Sequence, residues 1–282
     1  MATIEFAERG ATTRTDPATY ALTRAALATR GSPSLLASQP CRWRMARDTA
    51  ELRADRNHRS GPVDRDARLL MLSCGAALHQ VRTALAGAGV FAEVTRLPEP
   101  ADAGLLARVR VSGYGQPVPA AVRAQQAMAL RCTDGAPVAD VEVPAGALAE
   151  LRAAAEGEGA RLSLLGADDL AILEAAAEPV DQFTRYAVLF ADADTPLSWL
   201  RAGEALSDVA LTATMRRLAI SPMIDVVDAP AGRRLLRELL GDCGYPMLVL
   251  RVAVPADLAR IPASPRRPAV QTFVITTEVT PS

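Results

Sequence analysis

Two Ala-rich segments constrain this chain most, CGAALHQVRTAL at 74–85 and AGEALSDVALTA at 202–213, because they share one pattern. Gly203 follows Gly75 by 128 residues (203 − 75), and at that shift Ala77 meets Ala205, Leu78 meets Leu206 and Val81 meets Val209. Small residues at matching positions let two helices approach closely. An extended run follows each segment, FAEVTRL after the first and SPMIDVVDA after the second. The pattern predicts two similar halves, each burying an Ala-faced helix against the other, so that one chain imitates a two-fold dimer interface. A monomer or a weak homodimer is the expected state.

The remaining elements follow from local chemistry. Asp16 before Pro17 signals the start of a helix that runs to a stop at Gly31. The runs CRWRM and AELRA, joined through Arg47 and Asp48, predict a hairpin. Asp64 is the N-cap candidate for a long helix to about Ala88, with Leu70, Cys74, Ala77, Val81 and Leu85 as its buried stripe. In LLARVRVSG, Arg108 and Arg110 alternate with Val109 and Val111, the mark of a strand with one wet face. Helices are expected near 117–131 and over 196–218. Long helices interleaved with hairpin-like strands indicate an α+β class.

Composition excludes several functions. The 31 basic residues, all Arg, nearly balance 32 acidic ones, so no net field favours nucleic acid or a membrane surface. Without Lys there is no Schiff base and no P-loop lysine. The four cysteines Cys41, Cys74, Cys132 and Cys243 form no metal-ligand spacing and read as reduced thiols. His58 and His79, the only histidines, offer little for a multi-His metal site or a catalytic triad; His79 reads as a core or helix-surface residue. No apolar stretch suggests a membrane span of about 20 residues, and no signal core opens the chain, so a cytoplasmic protein acting on a small molecule is expected.

The segment SPSLLASQPCRWR at 32–44 resembles the PSxxNSQPWRW loop of nitroreductase-like flavoproteins. With ADRNHRSGPVDRDARLLMLSCGAALHQVRTALAGAG at 54–89, RAGEALSDVALTATMRRLAISPM at 201–223 and SPRRP at 264–268, the chain is similar over nearly its full length to the Acg-type, FMN-binding nitroreductase-like family of actinobacteria. The resemblance implies a nitroreductase-like fold in two tandem lobes, residues 16–128 and 129–282, after a flexible tail at 1–15. The second lobe carries a C-terminal arm. It further implies one FMN between the lobes, with NAD(P)H as a possible hydride donor.

The implied flavin contacts are Ser34, Ser38 and Gln39 in the first loop, Arg131 and Thr133 in an Arg-rich phosphate motif, the Ser221, Pro222 and Met223 backbone near the flavin N5, and Arg266 with Arg267 in the C-terminal arm. No catalytic side chain and no metal ligand is assigned. The chain departs from the family pattern at Ala37, which replaces Asn, at Cys41, which replaces Trp, and at Cys132, Gly135 and Ala136, where RRTxRRPF has arginines. The interval between the Ala-rich run near 170–178 and the second long helix is also shorter than the lid of relatives. Three functions therefore stay open: a reductase, a non-catalytic flavin binder, and a flavin-free descendant with a repurposed pocket in which Cys41 and Cys132 could meet.

Overall fold

The computed structural model describes residues 16–29, 41–55, 67–130, 138–166, 169, 182–256 and 273–275. They form an α+β protein in which two sheets, antiparallel except where the C-terminal strand joins the first, flank a central pair of helices. The first sheet runs from Val90–Arg96 through Leu105–Tyr114, Thr49–Ala54 and Cys41–Ala46 to Phe273–Ile275, and the second from Arg161–Leu164 through Arg185–Ala191 and Tyr245–Ala253 to Ala219–Met223.

The chain opens with α1 (Pro17–Ala28), started as expected by Asp16, whose carboxylate accepts from the Thr19 N–H. Gly31 lies outside the described residues. The hairpin of β1 (Cys41–Ala46) and β2 (Thr49–Ala54) turns at Arg47 and Asp48, with Arg47 at φ 50° and Ala46 opposite Thr49. β1 alternates as a half-buried strand should: Trp43 and Met45 are buried while Arg42 and Arg44 face outward. β3 (Val90–Arg96) and β4 (Leu105–Tyr114) extend the sheet, and the Arg108/Arg110 alternation falls on β4.

Between β2 and β3 in the chain lies α2 (Arg68–Gly87), where the expected stripe needs correction. The helix is buried nearly all round, because β1 and β2, α1, α3 and the second central helix each cover part of it. It begins at Arg68 behind Ala67, which sits at φ 60° without a side-chain cap; Asp64 lies outside the described residues. Contrary to the sequence reading, α2 is long and apolar enough to cross a membrane, yet 83% of that window is buried within the protein. A core helix passes the same length and hydropathy criteria.

After α3 (Pro119–Leu130) and α4 (Ala145–Gly157), β5 (Arg161–Leu164) and β6 (Arg185–Ala191) begin the second sheet. The second central helix is α5 (Pro196–Met215), capped by Thr195 and ending short of 218 because Arg217 turns to φ 57°. The run SPMIDVVDA divides: β7 (Ala219–Met223) is extended, and α6 (Asp225–Asp228) is helical. Then come α7 (Pro230–Leu239), β8 (Tyr245–Ala253) and β9 (Phe273–Ile275).

The sheets differ in their outer faces. On β6, Ala187 and Leu189 join the main core, whereas Tyr186, Val188 and Phe190 pack outward on Val226, Val227 and Leu236 of α6 and α7. The second sheet is thus covered on both sides, and β6 reads as a continuous apolar run for that reason. The main core runs from Leu22 to Val252 across both sheets, so the halves share one interior.

α2 and α5 make the most extensive helix contact in the molecule. A Cβ on Gly75 would lie 2.0 Å from the Leu200 carbonyl oxygen, and one on Gly203 would lie 2.1 Å from that of Leu72. One turn along, His79 Nδ1 meets Ser207 Oγ at 3.1 Å, a pair also 128 residues apart.

Candidate functional site

The sequence-assigned site residues divide sharply. Ser221, Pro222 and Met223 lie on β7, opposite Arg251, Leu250 and Val249 of β8. β7 is an edge strand, where a proline is tolerated because no second ladder needs its missing N–H. Ser34, Ser38, Gln39, Arg131, Thr133, Arg266 and Arg267 lie outside the described residues, as do Ala37, Cys132, Gly135, Ala136, His58 and the 170–178 run.

The ends of those segments are described, and they meet in pairs. Segment 30–40 ends at Cys41, the start of β1, and the C-terminal strand β9 lies beside it in parallel, with Trp43 opposite Phe273. The Arg-motif segment 131–137 leaves from Leu130 at the end of α3 and closes at Val138, which bridges Pro255. The described chain on either side of residues 257–272 therefore lies beside Val138 at one border and beside β1 at the other. β8 carries Ala253 opposite Ala219 of β7, which brings the Ser221 strand to the same region.

A groove of about 830 Å³ opens beside Leu130, Pro255 and Ala219. Its walls include Leu130, Pro255, Ala219, Arg123, Arg216 and Arg217. That volume lies within the range of roughly 300–1,000 Å³ common for small-molecule sites. Arg216 is clamped by Glu150 through two bonds of 2.6 and 2.5 Å. Arg123 and Arg217 are exposed and have no ion-pair partner among the described residues, so the groove carries cation capacity for an anionic group. The doublet Arg216–Arg217 was present in the sequence without a signal separating it from solvated surface arginines.

A charged network crosses the helix pair. Glu204 on α5, fully buried, accepts from Arg96 at 2.7 and 2.7 Å and from Arg82 at 2.5 Å, and Arg82 also reaches Glu158 at 2.6 Å. Burial alone would lower the Arg82 pKa, but its bonds to Glu158 and Glu204 outweigh that and hold it above its usual value. Beside it, burial and the Arg82 charge, opposed by Glu204, lower the His79 pKa to about 3. Burial and the neighbouring Glu158, opposed by Arg82, raise that of Asp208 to about 6. His79 is a core residue bonded across the helix pair, in agreement with one of its two sequence readings. It also comes together with Glu158 and Asp208, with potential ligand atoms within 4.8 Å of one another.

Gln80 on α2 has no exposed surface, and among the described residues neither its amide oxygen nor its nitrogen finds a hydrogen-bond partner. Each such unmet end costs about 1–3 kcal/mol.

No protein-family profile matches the chain. A Mycobacterium tuberculosis protein named "Putative NAD(P)H nitroreductase" is 31% identical over 298 residues, covering 84% of this chain and 86% of its own length. A second from that species, with the same description and the designation acg, is 29% identical over 306 residues, covering 86% of this chain and 92% of its own. Those 298 aligned positions exceed this chain's 282 residues although only part of it takes part, so the relative carries segments absent here. Among solved structures, an FMN- and NADPH-dependent nitroreductase from sphigopyxis sp. strain HMH is 18% identical with a TM-score of 0.44, over 56% of this chain and 99% of its own. A nitroreductase in complex with FMN from Desulfovibrio desulfuricans is also 18% identical, with a TM-score of 0.43 over 56% and 98%. On the identity shared with its mycobacterial relatives across most of both chains, this chain belongs to the Acg-type nitroreductase-like family of actinobacteria.

Proposed function

We propose that this protein is an FMN-dependent oxidoreductase of the nitroreductase superfamily, with two tandem lobes that hold one flavin between them and transfer hydride to or from a small organic molecule. The observation that carries the reading is the pairing of the family segments' described borders, β1 with β9 and Val138 with Pro255, the second of these beside an arginine-lined groove. The reciprocal contacts of Gly75 and Gly203 support the tandem-lobe part.

The described residues fit such a cofactor. A phosphate dianion needs fixed cations, and Arg123 and Arg217 flank the end of the Arg motif with their charges uncommitted to any described ion pair. In this reading Arg131, Thr133, Arg266 and Arg267 hold the phosphate, and Ser34, Ser38 and Gln39 read the ring's polar edge with hydroxyl and amide groups. The edge strand β7 supplies backbone at Ser221 to Met223, which substitution of side chains does not remove. When bound, FMN supplies hydride storage at N5, with NAD(P)H as donor in one half-reaction and the organic substrate as acceptor in the other.

The absence of relatives' segments in this chain favours an accessible flavin over a sequestered one. A second reading rests on the Arg motif itself: RCTDGAP keeps one arginine, and each lost charge-assisted bond removes about 1.5–3 kcal/mol of phosphate affinity. That reading is a flavin-free pocket taking another small molecule. Titration of the purified protein with FMN, followed by quenching of flavin fluorescence, decides between them: saturable binding supports the oxidoreductase, and none at high micromolar FMN supports the repurposed pocket.

A further inference from the structure

Cys41 and Cys74, 33 residues apart in sequence, meet with their sulfurs 2.8 Å apart. Non-bonded carbon atoms rest at about 3.5–4.0 Å, and sulfur is larger than carbon. A covalent S–S bond is about 2.05 Å, so the pair stands closer to bonding than to ordinary contact. Both cysteines are thiols here.

Their surroundings are unequal. Cys41, the first residue of β1, is half-buried and reaches the surface. Cys74, in the middle of α2, has no exposed surface. Burial, the bond to Cys41 and the nearby Cys41 and Asp55 charges all push the Cys74 thiol above its usual pKa. An oxidant can therefore meet Cys41 first, and Cys74 lies within reach to resolve the adduct. Cys243, exposed and bonded to the Gly241 carbonyl, stands apart as an ordinary surface thiol.

We propose that Cys41 and Cys74 form a reversible dithiol–disulfide site that exchanges with small-molecule disulfides. The Cys41 thiolate attacks one sulfur of the small disulfide, forming a mixed disulfide and expelling one small thiolate. Cys74 gives up its proton to that thiolate or to solvent and attacks the Cys41 sulfur, expelling the second small thiolate, which takes up the proton that Cys41 released to solvent. One small disulfide is reduced by two electrons to two thiols, and two protein thiols are oxidised to one disulfide. The bond ties the entry of β1 to the middle of the core helix α2. Because Cys74 is buried and weakly acidic, the second step is the slow one, and its rate rises with pH.

The full-length protein, equilibrated in glutathione buffers from fully reduced to fully oxidised, alkylated after denaturation and mapped by mass spectrometry, tests this. The expected product is one cross-link between the Cys41 and Cys74 peptides, lighter by two hydrogens and reversed by excess thiol. Cys74→Ser is expected to stop the reaction at a glutathione adduct on Cys41, and Cys41→Ser to leave Cys74 fully alkylatable. Because the unmodified protein alone reports the cross-link, poor folding of a variant does not decide the matter. A stable glutathione adduct on Cys41 of the unmodified protein, or two alkylatable thiols at every buffer composition, overturns the proposal.

Discussion

Gly75 and Gly203 face each other across the central helix pair, each with the backbone of the opposite helix where its Cβ would stand. The clash distances are matched, 2.0 Å to the Leu200 carbonyl oxygen from one side and 2.1 Å to that of Leu72 from the other. Leu200 follows Leu72 by the same 128 residues that separate Gly203 from Gly75, so the two helices meet about a local two-fold axis.

Gly75→Ala is expected to destabilise strongly, by about 3 kcal/mol or more, because neither carbonyl can move without shifting a helix. Gly146→Ala is the control: its Cβ meets nothing within 4 Å, and alanine is the better helix former by up to about 1 kcal/mol. Denaturant midpoints separate the two. Equal midpoints would mean that the helices are not held this closely.

Glu204 is the centre of the charged network, and its loss leaves Arg82 and Arg96 without their shared partner. Glu204→Ala is expected to cost about 3 kcal/mol, the lower end for breaking a buried pair, since both arginines keep some solvent contact. Arg96→Met should cost less, because Arg82 still neutralises the carboxylate. A double-mutant cycle between positions 96 and 204 measures the coupling directly.

The pH response has two opposed parts. With its pKa lowered from 6.5 to about 3, His79 contributes stability that is whole above 6.5 and lost as pH falls toward 3. Asp208, raised from 3.8 to about 6, acts oppositely: its contribution is present below 3.8 and lost as pH rises through 6. Asp208→Asn should therefore raise stability near neutral pH by roughly 1–2 kcal/mol, after discounting for its partial exposure, and change little near pH 4. Unfolding curves across pH in the presence of a chelator check this, and an unchanged neutral midpoint would contradict it.

Arg123 and Arg217 are assigned to the ligand groove. The pair of substitutions Arg123→Glu and Arg217→Glu should weaken FMN binding by about tenfold or more while leaving the unfolding midpoint in place, since both side chains are exposed. A loss of stability with unchanged FMN affinity would return them to a structural role.

Much of the local structure was legible in the residues. Asp16 before Pro17 starts α1, Arg47 and Asp48 turn the hairpin, and the Val/Arg alternation marks β4, because each depends on neighbours in sequence. The common pattern of the two Ala-rich segments anticipated the helix contact. The full burial of α2 was not legible, since periodicity reports one covered face and cannot count the elements that arrive from elsewhere. Glu204 with Arg96 spans 108 residues, and Cys41 with Cys74 joins a strand to a helix, so neither pair leaves a local pattern. Of the candidate site, β7 and the borders of the other three segments are what the described structure adds.

The proposed oxidoreductase passes hydride through a bound flavin. The protein loaded with FMN, freed of excess cofactor and mixed anaerobically with NADPH or NADH, is expected to lose its visible flavin absorbance, then recover it on addition of a nitroaromatic or quinone acceptor. A protein that retains no FMN, or whose bound flavin keeps its absorbance with both nicotinamides, would contradict the account.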